Sequence, residues 1–186
     1  MSTQHGLLLR VVGVDDIRPL RHAVLRPGLP IEAAMWPGDD DPGALHVAVY
    51  PTDDPTGGPV HVAGPIGVVS LLPAAYPGPG GDGRAAAEAA DETARSGRHP
   101  ESGAPGYQLR GMAVAPRLQG RGVGSVLLRG ALDELTSRGV LLVWCNARLS
   151  AAPFYERGGF VRHGGRYVLA PFDIVHVRMH QALSPG

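Results

Sequence analysis

At 186 residues the chain has the length of one domain, enough to bury about two thirds of its unfolded surface. Seventeen basic residues balance seventeen acidic ones, 44% of residues are hydrophobic, and the mean hydropathy is -0.02. Such a chain is globular and lacks the basic field that a nucleic-acid partner demands. Every basic residue is Arg, which excludes Walker-type phosphate loops and Schiff-base catalysis, both dependent on a lysine amine. The single cysteine, Cys145, excludes an internal disulfide and a thiolate metal cluster. The first residues lack the basic start and long apolar core of a signal peptide, so the expected location is cytoplasmic.

Residues 5–14 form an apolar, β-leaning run that ends at Asp15 and Asp16, both able to cap a following helix. In that helix, 15–25, the residues Ile17, Leu20, Val24 and Leu25 fall on one stripe, and Pro19 is tolerated in the first turns. Prolines 27, 30, 37 and 42 leave room for one short helix before a pair of antiparallel strands, 44–50 and 65–73. The first strand alternates Leu45, Val47 and Val49 with His46, Ala48 and Tyr50. The second is apolar throughout, as in a strand covered on both faces. From 77 to 106 the chain is rich in Gly, Pro and Ala, with Thr93 its one β-branched residue and no aromatic. It reads as a flexible insertion between strands, solvated or acting as a lid.

Residues 107–116 then form a strand, 117–124 a glycine-rich turn and 125–139 a helix. Val126, Leu127, Leu132 and Leu135 face inward, and Gly139 stops the helix. A buried strand at 140–146, a short helix opening at Ser150 and two closing strands complete a single mixed α/β domain spanning 1–186, with no internal repeat. A strand, a turn carrying Gly120, Gly122 and Gly124, and a helix place unpaired N–H groups and a positive dipole end against an anion, with phosphate the natural ligand. Arg117 and Arg121 add charge at its edges. A dinucleotide fingerprint is not met, since its third glycine position is Ser125 and its acidic ribose ligand is replaced by Asn146.

The segment LRGMAVAPRLQGRGVGSVLL closely resembles the cofactor-binding motif of the GCN5-related N-acetyltransferases (GNAT), whose Q/R-x-x-G-x-G/A signature is met by Gln119, Gly122 and Gly124. CNARLSAAPFYERGGF is similar to that family's later motif, and FDIVHVRM resembles a subgroup of its small members. The resemblance covers about residues 107 to 160, while the first hundred match loosely. It implies a central mixed, mostly antiparallel sheet with helices on both faces and a splayed strand pair, one strand ending at Val114 and the other at Asn146. It also implies acetyl-CoA as co-substrate. Pantetheine would lie along Met112, Ala113 and Val114, pyrophosphate would meet Gln119, Gly120, Arg121, Gly122, Val123, Gly124 and Ser125, and Asn146 and Phe154 would flank the cofactor.

The resemblance further implies a general acid at Tyr155 that protonates the departing thiolate; the bland alternative is a ring packed beside Phe154 and Phe160. His46 and His176, on polar strand faces, are candidate bases for the acceptor ammonium. Arg110, Arg148 and Asn146 suit an acceptor carrying a carboxylate or phosphate, with His176 counted among the acceptor-binding residues, whereas Asp39, Asp40, Asp41 and Glu32 would attract a cationic one. These hints oppose each other. Cys145, within VLLVWCN, reads as a small buried hydrophobe. Eight histidines show no H-x-x-x-H spacing, so no metal is expected. The reading is acetyl transfer to a small-molecule amine or an amino terminus. A non-catalytic CoA or acyl-CoA sensor or structural module, and a phosphorylated-nucleotide binder, are the alternatives. A homodimer is left open, and neither nucleic acid nor membrane is expected as a partner.

Overall fold

The computed structural model describes residues 3–4, 6–52, 64–79, 99–169 and 173–184. Of the expected insertion, 80–98 lies outside the described residues. The chain groups into two units, residues 1–72 with 110–135 and residues 73–109 with 136–186. No described helix is long and apolar enough to cross a membrane.

The first unit holds β1 (Thr3–Gln4), β2 (Leu7–Val12), α1 (Val14–Leu25), a 3-10 turn at Ile31–Ala34, β3 (Leu45–Pro51) and all but the last residue of β4 (Gly67–Pro73). It also takes the later part of β5 (Tyr107–Val114) and most of α2 (Val123–Ser137). Strands β1 to β4 pair antiparallel in sequence order, with Val11 opposite Val47 and Val47 opposite Val69. Helix α1 starts at Gly13, and the Asp16 carboxylate accepts from the Gly13 N–H at 3.1 Å. Asp16 thus works from the third helical position, reaching back to the cap, and is not itself the cap.

Alternation along the strands sets two faces. On one, Ile17 of α1 packs with Ala48, Val68 and Ala113. On the other, Gly67 makes room for α2, since a Cβ there would lie 3.3 Å from Val123 and 3.4 Å from Leu127. A helix on each face leaves β3 buried from Leu45 to Val49, including the side expected to be polar. The buried residues of α2 are Val123, Leu127, Leu128, Ala131 and Leu135, so its inward stripe is rotated from the expected one, with Val126 and Leu132 at the margin. Gly139 follows with a left-handed φ of 74° and closes the helix as expected.

In the second unit, residues 107–109 of β5 pair parallel with β6 (Leu142–Arg148), Tyr107 opposite Val143 and Leu109 opposite Cys145. That register ends at Leu109 although β6 continues to Arg148. β6 pairs antiparallel with β8 (Ile174–Ala182), and β8 with β7 (Val161–Leu169). The pairing is mixed and mostly antiparallel, as expected. A 3-10 turn at Leu149–Ala151 leads into α3 (Ala152–Arg157). Tyr76, Leu142 and Trp144 form a buried cluster, and the Trp144 Nε1–H donates to the Ala74 carbonyl at 3.0 Å. The segments flanking 80–98 are tied together, the Tyr76 N–H donating to Ala104 at 2.8 Å and the Gly103 N–H to Tyr76 at 2.7 Å.

Candidate functional site

The glycine-rich turn follows β5 directly. Gly120 and Gly122 hold left-handed φ of 73° and 83°, which other residues adopt only with strain. A Cβ on either would meet nothing within 4 Å, so the backbone there faces open space. Gln119 Nε2 donates to the Val114 carbonyl at 3.0 Å, fastening the turn to the end of β5. α2 begins at Val123 with no acidic residue in its first turn, so no carboxylate at the start of the helix opposes an anion. Gly124 and Ser125 lie within that first turn, and Arg117 and Arg121 are exposed. Of the β5 residues, Ala113 is buried and Met112 and Val114 are half-buried.

Also in the first unit, α1 lowers Arg21 onto the sheet one turn beyond Ile17, and Arg21 is fully buried. It donates to Asp39 Oδ2 at 2.5 Å, to the Ala34 carbonyl at 3.2 Å and to Ser70 Oγ. Arg110 donates to Asp39 Oδ1 at 3.0 Å and to the Pro37 carbonyl. Burial alone would raise the Asp39 carboxyl, but the hydrogen bond and charge of Arg21, then the hydrogen bonds of Arg110 and the Trp36 N–H, hold it below its usual value. Trp36 lies under three guanidinium groups, Arg21 at 4.5 Å, Arg26 at 5.4 Å and Arg110 at 5.7 Å. His46 is 5% exposed, bonded through Nδ1 to Ser70 Oγ at 2.8 Å and through Nε2 to the Asp39 carbonyl at 2.9 Å. It is not on a solvated face, because α1 covers that side of β3, and both ring nitrogens are engaged. Asp39 is likewise buried, whereas Asp40, Asp41 and Glu32 are exposed.

The second unit holds the other expected residues. Tyr155 of α3 is buried, its ring edge-on to Phe154 at 5.1 Å and to Phe160 at 5.4 Å. Burial, and to a smaller extent Cys145, raises its hydroxyl well above the usual tyrosine value, so it remains protonated. Cys145 is buried, and burial raises its thiol in turn. Asn146 follows Cys145 along β6 and therefore projects from the opposite face, where its Oδ1 accepts from the Tyr167 hydroxyl at 2.6 Å. Arg148 is exposed at the end of β6, opposite His176 in register. His176 Nδ1 bonds the Ile174 carbonyl at 2.7 Å and its ring stacks on Tyr167 at 6.3 Å. Burial is the main cause that lowers its pKa.

Sequence spacing missed one cluster. His163 of β7 and His180 of β8 project from one face of the sheet, and His99 reaches them from the stretch preceding β5. His99 stacks on His163 at 3.9 Å, and His99 Nδ1 lies 2.9 Å from His180 Nε2. Tyr76 Oη lies 2.6 Å from His163 Nδ1, and the two rings are stacked. Burial first, then His99 and His163, draws His180 down to about 4, and burial first, then His99 and Arg178, lowers His163. Residues 99, 163 and 180 share no local spacing, so no motif could have announced them.

Residues 85–182 match the family described as Acetyltransferase (GNAT) domain. The N-acetyltransferase YitI of Bacillus subtilis, itself uncharacterized, is 27% identical over 174 residues, 94% of this chain and 92% of that one. A [ribosomal protein bS18]-alanine N-acetyltransferase of Salmonella typhimurium is 44% identical over 55 residues, covering 28% of this chain and 37% of that one. Among solved structures, Arabidopsis thaliana NAA60 in complex with acetyl-CoA superimposes with a TM-score of 0.63 at 15% identity, covering 95% of this chain and 98% of that one. The match spans the strand, turn and helix that carry Gln119, Gly122 and Gly124, and the chain belongs to the GCN5-related N-acetyltransferases, a family of acyltransferase enzymes.

Proposed function

We propose that this enzyme transfers an acetyl group from acetyl-CoA to a primary amine, of a small molecule or an amino terminus, by direct attack within a ternary complex. The observation that carries this reading is the turn between β5 and α2. Its left-handed glycines face open space, and the acid-free start of α2 offers N–H groups and a positive dipole end to a pyrophosphate. Arg117 and Arg121 stand beside it. Met112, Ala113 and Val114 would hold pantetheine through the backbone as an added strand is held, and the N–H near Val114 would support the oxyanion. Tyr155, whose hydroxyl burial keeps protonated, would return a proton to the departing thiolate.

On the acceptor side, His176 engages Nδ1 internally and keeps Nε2 for an ammonium proton, with Arg148 opposite it in register for a carboxylate or phosphate. His46 and Arg110 would first have to surrender the bonds they make to Ser70, Asp39 and Pro37. One relative is named for acetylating a protein alanine, which supports keeping amino termini in the acceptor class. The test is a thermal-shift titration with acetyl-CoA, coupled to thiol release over a panel of amines. Acetyl-CoA should stabilise the wild type, and Gly122→Glu should abolish the response by placing a carboxylate in the anion seat while circular dichroism stays native. An equal response from the variant would overturn the cofactor assignment. Stabilisation without thiol release from any amine would leave a binding module in place of an enzyme.

A further inference from the structure

We infer that His99, His163 and His180 form a binding site for one divalent transition cation of the zinc type, ligated by three imidazole nitrogens with solvent in the fourth position. One ring nitrogen from each histidine lies within 4.8 Å of the others. A tetrahedral zinc ion with bonds near 2.0–2.1 Å needs nitrogens about 3.3 Å apart. His99 Nδ1 and His180 Nε2 are already 2.9 Å apart, so they open slightly, while His163, stacked parallel on His99 at 3.9 Å, must tilt out of that stack through χ1 and χ2 so that its in-plane lone pair converges with theirs.

Three features suit a cation of that class. All the protein donors are imidazoles, which favour zinc, cobalt, nickel and copper over magnesium and calcium. His163 has the outer partner usual for a metal-bound histidine: in the tautomer whose Nδ1–H donates to the Tyr76 hydroxyl oxygen, Nε2 carries the lone pair for the cation. The donors also come from separate parts of the second unit. His163 and His180 belong to the neighbouring strands β7 and β8, and His99 immediately follows 80–98. A cation would therefore pin the chain after 80–98 to the sheet. The charge of Arg178 acts on both Tyr76 and His163 and opposes a second positive centre. This points to an affinity in the micromolar range, weaker than that of a thiolate-rich structural zinc site.

The test uses full-length protein stripped with a chelator and titrated with Co2+ and Zn2+. Calorimetry should give one ion per chain with a dissociation constant of about 10 μM or tighter, and Co2+ should develop the intense visible bands of a tetrahedral site. Zn2+ should raise the melting temperature. His163→Gln and His99→Gln, both at partly exposed positions, should keep native circular dichroism and weaken binding at least about tenfold. His22→Gln, on α1, should leave binding unchanged. Absence of binding at 1 mM metal, octahedral Co2+ spectra, or affinity that survives both the His99 and His163 substitutions overturns the site. So does loss of binding with His22→Gln.

Discussion

Arg110 and Arg21 grip opposite oxygens of one buried carboxylate, with Arg110 on Asp39 Oδ1 at 3.0 Å and Arg21 on Oδ2 at 2.5 Å. The two residues that suggested opposite acceptors, an anion for Arg110 and a cation for Asp39, thus satisfy each other. Asp39→Asn should cost about 3–5 kcal/mol, because it leaves a fully buried guanidinium without its counter-ion. Arg110→Ala should cost less, since its side chain is 22% exposed and Arg21 remains on Asp39. Chemical denaturation of both variants checks the order. A tenfold rise in acceptor KM for Arg110→Ala at unchanged stability would return Arg110 to substrate binding.

The same carboxylate predicts a pH dependence. Its pKa in the folded protein lies below the ordinary 3.8, so its contribution is fully present above that value and is lost as the pH falls through the folded pKa. Urea melts from pH 7 to pH 3 should therefore show the stability gap between wild type and Asp39→Asn holding down to about pH 4 and narrowing below it. A gap that does not narrow below pH 4 contradicts the ion-pair account.

Tyr155→Phe should lower turnover about a hundredfold while leaving acetyl-CoA affinity nearly unchanged. The ring keeps its contacts with Phe154 and Phe160, so the variant retains the side-chain packing. Unchanged turnover in steady-state kinetics removes Tyr155 from the chemistry and leaves a packing residue.

Two glycines with similar φ should respond differently. Gly111, at φ 62°, has no room: a Cβ would lie 2.8 Å from Trp36 and 3.0 Å from Arg21 Nε. Gly122, at φ 83°, has open space. Gly122→Ala should lose about 1–2 kcal/mol to backbone strain alone, and Gly111→Ala clearly more, because Trp36 and the arginines around it must shift. Equal losses would mean that the Trp36 packing yields freely.

Replacing 80–98 with a short Gly/Ser linker should change the melting temperature little, since that composition offers almost no apolar surface. Extending the deletion to 78–103 should destabilise the protein, because it removes His99 and the Gly103 bond to Tyr76. Equal stability of the two deletions would show these contacts to be dispensable.

Elements whose pattern is local were readable in the chain itself. The glycine-rich turn, the stop at Gly139 and the antiparallel β3 and β4 follow from spacing and backbone preference, and the later motifs named the family. What escaped depends on burial across distance. Arg21 lies four residues after Ile17, on the helix stripe that Ile17, Leu20 and Val24 make apolar, and an arginine there was the one local sign of a buried ion pair. His46 looked solvated because strand alternation shows which face a side chain takes but not what covers that face. Asn146 and Tyr155 belong to one motif, yet strand alternation sends Asn146 to the face opposite Cys145, a group close enough to Tyr155 to act on its hydroxyl.

The chain has two tryptophans, one in each unit, and each lies against arginine: Trp36 beneath Arg21, and Trp144 beneath Arg178 at 4.8 Å. Each unit therefore carries its own fluorophore beside a positive charge. Trp36→Phe and Trp144→Phe leave one emitter apiece, and their emission spectra during denaturation would time the loss of packing around α1 separately from that around β6. Coincident midpoints would mark one cooperative transition, and separated ones a protein that comes apart in two steps.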